Sequence, residues 1–118
     1  AVPFAAFMER LHELTGRKVM SVCGPKPASV ATVAYCGGSG SGLAARAAGA
    51  DVVVTGDMKY HPAVDAAAEL GLCIVDAGHV SIEEEMLRRF AVSLGEALSG
   101  VTVRFFEGAD PFEWSVAP

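Results

Sequence analysis

The chain carries 118 residues, 52% of them hydrophobic and 19% charged, with 9 Lys+Arg against 14 Asp+Glu and a net charge of −5. This length suits one domain over residues 1–118, with about two-thirds of the extended surface buried on folding, and the composition excludes intrinsic disorder. The acidic balance argues against binding to nucleic acid or to an anionic membrane surface, and no apolar run reaches the roughly 18 residues that a bilayer-spanning helix needs.

Val2 to Leu14 reads as an amphipathic helix, with Phe4, Phe7, Met8, Leu11 and Leu14 at 3/4 spacing and Gly16 as its stop. Lys18–Cys23 reads as a strand, Gly24-Pro25-Lys26-Pro27 as a turn, and Val30–Cys36 as a second strand. A glycine–serine loop, Gly37–Gly42, leads into a short helix over Leu43–Ala48. Val52–Val54 reads as a strand buried on both faces, followed by a helix over Tyr60–Leu70 that stops at Gly71. Leu72–Val75 is another buried strand, Val80–Leu98 the longest helix, and Val101–Phe106 a last strand before an irregular tail. The order α-β-β-α-β-α-β-α-β predicts an α/β domain with a mostly parallel or mixed sheet and helices packed on it. The three cysteines, Cys23, Cys36 and Cys73, are odd in number and show no CxxC spacing. With no basic-then-apolar leader at the start, buried free thiols in a reducing cytoplasm are expected. The first residue is Ala rather than Met, so a fragment or a processed product is expected too.

Three strand-to-helix loops carry unusual residues, and in a parallel sheet all three share the edge where ligands bind. In the first, Gly38, Ser39 and Gly40 let backbone amides approach a phosphate or carboxylate; a plain tight turn capped by Ser39 or Ser41 is the alternative. In the second, Asp57, Lys59 and His61 group a carboxylate, an ammonium and an imidazole suited to proton transfer or to binding a charged substrate, unless Asp57 merely caps the next helix. In the third, His79 opens the long helix and Glu83 lies one turn on, so both face one side and can share a metal ion. The row continues through Leu87, Ala91, Leu94 and Leu98, which turns Glu83 toward protein. Glu84 and Glu85 have Arg88 and Arg89 at i+4 and read as ordinary exposed pairs.

The runs Val33-Ala34-Tyr35-Cys36-Gly37-Gly38-Ser39-Gly40-Ser41, Thr55-Gly56-Asp57-Met58-Lys59-Tyr60-His61 and Val75-Asp76-Ala77-Gly78-His79 with Glu83, closed by Asp110-Pro111-Phe112, together resemble the NGG-one-interacting-factor-three-like family. Its members also carry the name GTP cyclohydrolase 1 type 2 homologue. The resemblance implies a two-part α/β protein with a dinuclear metal centre and a ring-like, often hexameric, homo-oligomer. It implies that His79 and Glu83 are metal ligands, and that Ser39, Asp57, Lys59 and His61 line the same cavity. The family's other half supplies a His-His pair and an Asp, for which this chain has no counterpart; His12 lies on the outer face of the first helix. The chain therefore resembles the C-terminal half alone, expected to bind metal weakly without the N-terminal half and to expose an apolar patch that drives self-association.

These features predict a metal-dependent hydrolase domain acting on a small molecule, and the resemblance implies a purine nucleotide or related phosphate-bearing substrate. Zn, Fe, Mn or Ni would suit the ligands, Gly38–Gly40 would hold the substrate, and Lys59 or His61 would protonate or neutralise the leaving group. A Rossmann-like nucleotide or adenosylmethionine domain is the first alternative, resting on Gly38-x-Gly40-x-Gly42, on Gly40-x-Gly42-x-x-Ala45 and on Asp57 as a ribose ligand. A non-catalytic interaction or assembly module is the second.

Overall fold

The computed structural model describes residues 1–115 and 117. Two residues, Val2–Pro3 (β1), precede the first helix, Phe4–Thr15 (α1). Phe4, Phe7, Met8 and Leu11 of its apolar stripe face the core, while Leu14, at the end of the stripe, is exposed. The helix stops at Gly16, whose φ of 68° is left-handed and whose amide returns to the His12 carbonyl. Then come Ser21–Cys23 (β2), Ser29–Val30 (β3), Val33–Ser39 (β4), a 3-10 helix at Ser41–Ala47, Val52–Gly56 (β5), Tyr60–Leu70 (α2), Cys73–Asp76 (β6) and His79–Ala97 (α3).

β1 pairs with β3 in a small antiparallel ribbon, and the main sheet has the order β2-β6-β5-β4. β4, β5 and β6 run parallel, while β2 is antiparallel to β6. β5 and β6 occupy the centre, where alternate residues leave by opposite faces. Val52, Val54, Cys73 and Val75 pack with Leu11, Ala77 and Ile82 on the α1/α3 side. Val53, Leu72 and Ile74 pack with Ala44, Ala63 and Ala66 on the other. Burial on both faces is why these strands are nearly unbroken runs of Val, Ile and Leu. The α/β class and the mixed sheet are as the sequence predicts. The thiols are free, but only Cys73 is buried, which pushes its pKa up. Cys23 and Cys36, expected to be buried too, are half-buried because they lie on the outer strands β2 and β4. No helix among the described residues is long and apolar enough to cross a membrane.

Several elements differ from the sequence reading. Val30–Cys36 is not one strand, because the Asp51 carboxylate captures the amides of Ala31 and Thr32, each at 2.8 Å, and the Thr32 hydroxyl at 3.0 Å. The backbone there bonds a side chain instead of a ladder. β4 then continues through Gly37 and Gly38 to Ser39, so half of the expected glycine loop is strand. Val101–Phe106 is not a strand among the described residues: it lies along α3, with the Arg88 guanidinium 4.9 Å from the centre of the Phe105 ring. Apolar β-branched residues form a strand only where a sheet edge is offered to them, and this segment packs on a helix instead.

Accepting three hydrogen bonds holds the Asp51 carboxyl below its ordinary pKa of 3.8. A lowered folded value means that its stabilisation is complete above the unfolded pKa and is lost as pH falls through the lower folded one. Asp51→Ala is therefore expected to melt at a lower temperature than wild type at pH 7. The two melting curves should converge as pH falls well below the ordinary carboxyl pKa of 3.8; a gap that persists at the acid limit would contradict this role.

Candidate metal centre

Because β4, β5 and β6 are parallel, their carboxyl ends meet at one edge. Close backbone approach then locks the loops together. A Cβ on Gly56 would lie 2.6 Å from the Gly78 carbonyl carbon and from the His79 nitrogen, so only glycine lets the end of β5 touch the start of α3. The Asp76 carboxylate accepts the Met58 amide at 2.8 Å and the Gly78 amide at 2.9 Å, tying the second loop to the third. The Tyr35 hydroxyl donates to the Ile82 carbonyl and ties β4 to the first turn of α3.

On this frame Asp57, His79 and Glu83 form a row. His79 Nδ1 is 2.6 Å from Asp57 Oδ2, and His79 Nε2 is 3.3 Å from Glu83 Oε2. The bond to Asp57 raises the His79 pKa above 6.5; the charges of Glu83, Asp57 and Asp110 add to the rise and desolvation opposes it. Two donor atoms sharing one divalent cation at about 2.0–2.2 Å stand roughly 3.0–3.4 Å apart, so the spacing of Nε2 and Oε2 fits a common ion. The floor of this spot is Gly38, with φ of 66°, where a Cβ would come within 2.5 Å of Glu83 Oε1 and 3.3 Å of His79 Nε2. Only two donors share this side of the ring, since Asp57 sits on the opposite nitrogen. Among the described residues no set of three or more His, Cys, Asp or Glu side chains is gathered to hold a metal.

The remaining candidates are placed differently. Gly40 gives its amide to Thr55 Oγ1 at 2.8 Å, and a Cβ there would strike the same hydroxyl at 2.4 Å. That amide is committed to the fold. The Ser39 and Ser41 hydroxyls reach the Asp57 carbonyl at 3.5 and 3.3 Å. Asp57 does not cap α2; Lys59 occupies that position without a side-chain bond. Lys59 and His61 are exposed, and His61 meets Tyr60 edge to face at 5.4 Å. Among the described residues neither joins Asp57, His79 or Glu83 by a hydrogen bond or ion pair. His12 closes its own helix, its Nδ1 donating to the Arg17 carbonyl at 2.6 Å.

The row below Glu83 also departs from expectation. Leu87 is 46% and Leu98 41% exposed, and α3 seats itself through Ile82 instead. Glu85 pairs with Arg89 at 2.6 Å as predicted. Arg88 turns to Glu107 at 3.2 Å, and Glu84 accepts the Gly108 amide from the tail. Thr55, Gly56 and Asp76 stand in the quoted runs without a role of their own, although a buried threonine closing a run of valines is a signal in itself. Arg17 gave none. Its guanidinium lies under Gly78, 3.7 Å from Asp110 and 4.6 Å from the centre of the Trp114 ring. Beside His79 these residues line a cavity of about 370 Å³.

The family profile described as Duf34/NIF3 (NGG1p interacting factor 3) matches residues 1–111. A GTP cyclohydrolase 1 type 2 homolog of Streptomyces coelicolor is 40% identical over 77 residues, 64% of this chain and 27% of that protein. One from Bacillus subtilis is 33% identical over 105 residues, 85% of this chain and 27% of that protein. The crystal structure of a Bacillus cereus protein related to NIF3 superposes with a TM-score of 0.75 at 35% identity, covering 97% of this chain and 33% of that one. The chain thus spans about a quarter to a third of the length of these relatives.

Proposed function

The chain belongs to the Duf34/NIF3 family, and on that premise we propose that it contributes half of a divalent-metal site in a hydrolase of the cyclohydrolase type. The observation that carries this reading is the 3.3 Å spacing of His79 Nε2 and Glu83 Oε2, one helical turn apart, over a glycine whose missing side chain leaves room beside them. Zn, Fe, Mn or Ni suits one imidazole and one carboxylate. When bound, such an ion lowers the pKa of a coordinated water and polarises a substrate oxygen. His79 and Glu83 hold the cation. Lys59 and His61, exposed where the same edge opens, meet the negative charge of the substrate, and His61 can carry a proton. The name shared by the relatives directs the substrate toward a purine nucleotide.

Further ligands come from polypeptide beyond these residues, since two donors make only a weak site. The exposed apolar side chains of Met86, Leu87 and Phe90 on one side of α3 support burial of this face against that polypeptide or further copies in a homo-oligomer. The Rossmann-like alternative loses its main support with the Gly40 amide, which is bonded to Thr55.

Calorimetric titration of the chain with Zn(II), alongside a His79→Ala/Glu83→Ala double variant, tests the reading. Binding by wild type, weakened at least about tenfold in the variant, is the expected result. Equal affinity in both proteins would remove His79 and Glu83 from any metal site. Light scattering on the same samples is expected to give a mass above that of one chain.

A further inference from the structure

A neutral imidazole carries one ring proton, and carboxylates flank both nitrogens of His79. Nδ1 is 2.6 Å from Asp57, whereas Nε2 is 3.3 Å from Glu83. The shorter contact draws the proton to Nδ1, where it is donated to Asp57, and leaves the Nε2 lone pair pointing to the Glu83 side. We infer that Asp57 is a positioning residue, which acts through His79 by fixing this tautomer and ring orientation and does not itself touch substrate. The inference rests on the metal-site reading above for its purpose, but the proton placement stands on the geometry alone.

The backbone supports the same assignment. Asp57 is the one non-glycine residue with positive φ, 49°, among the described residues. Such a conformation persists only where the surroundings over-determine it. Here the Ser39 and Ser41 hydroxyls bond the Asp57 carbonyl, the Lys59 amide bonds Ser41 Oγ at 3.1 Å, and Asp76 holds the Met58 amide. The strain does not serve a helix cap, because α2 has no side-chain cap. Its visible product is the contact with Nδ1. The glycine–serine loop thereby acquires a role as well: Ser39 and Ser41 brace the residue that orients His79. A carboxylate behind an imidazole ligand raises its basicity and holds its plane, and loss of such a partner weakens metal binding about 10–100-fold.

The test compares wild type with Asp57→Gly and Asp57→Asn. Glycine adopts the φ of 49° freely and asparagine tolerates it, so both variants are expected to fold, with Tm lowered no further than the loss of one exposed contact to His79 requires. The tautomer is read in the metal-free protein by the ¹⁵N shifts of the His79 ring at pH 9. Wild type should hold its proton on Nδ1. In Asp57→Gly it should move to Nε2, facing Glu83, and Zn(II) affinity should fall about 10–100-fold. Asp57→Asn keeps an oxygen that can accept the Nδ1 proton and should fall between the two. An Nε2 proton in wild type, or an unchanged Nδ1 proton in Asp57→Gly, overturns the inference. If wild type binds Zn(II) no better than His79→Ala, the metal reading fails while the ring shifts still decide what Asp57 does.

Discussion

Gly56→Ala is expected to lower stability by about 1–3 kcal/mol, the range for overpacking a well-filled interior, with a fall in Tm of roughly 4 °C per kcal/mol at this chain length. The new methyl would sit 2.6 Å from the Gly78 carbonyl carbon and the His79 nitrogen and 2.7 Å from the Gly78 oxygen. All three are backbone atoms at the mouth of α3. They cannot rotate aside as a side-chain tip can, so the first turn of the helix must shift against the sheet. That turn carries His79, which leaves the contact with Asp57, so Zn(II) affinity should fall together with stability. Thermal melting and zinc titration on one preparation check both. A Tm within 1 °C of wild type would mean that the β5–α3 junction yields far more easily than its packing implies.

Gly38→Ala should separate the site from the fold. A residue with a Cβ at φ of 66° is strained by about 1–2 kcal/mol, which sets the expected loss of stability. The larger effect is local. The added Cβ meets Glu83 Oε1 at 2.5 Å, and Glu83, with 43% of its side chain exposed, can swing outward into solvent. Zinc affinity should then fall as far as in Glu83→Ala. In a double-mutant cycle, Gly38→Ala added to Glu83→Ala should weaken binding no further, because the two changes remove the same ligand. Additive losses would show that Gly38 acts on the metal by another route than Glu83.

Those two glycines also mark where local pattern stops being informative. Runs of Val, Ile and Leu announced β5 and β6, and the 3/4 apolar stripe announced α1, because burial imposes a periodicity on each element separately. His79 and Glu83 were legible as a pair for the same reason: four residues apart on a helix are neighbours whatever surrounds them. The parallel sheet then implied that three loops share an edge. Within that edge, the sequence could not distinguish a glycine offering its amide to a ligand from one that makes room. Gly40, Gly56 and Gly38 all make room, for Thr55, for the start of α3 and for Glu83.

Val101–Phe106 misled because β-branched and aromatic residues suit either a sheet edge or the side of a helix, and only the finished sheet decides whether an edge is on offer. Arg88 was assigned to Glu84 by spacing, but the tail brought Glu107 within 3.2 Å. The buried strands β5 and β6 and the His79–Glu83 and Glu85–Arg89 pairs are set within one element, so the chain alone decided them, whereas the face that α3 buries and the partner of Arg88 waited on the fold. Asp57 belongs to the other class. Its residue type and loop were plain, yet its partner lies 22 positions away across a crossover, and its left-handed backbone is braced by Ser39 and Ser41 of the glycine–serine segment. Such contacts depend on strand register and crossover geometry, which tertiary packing alone supplies.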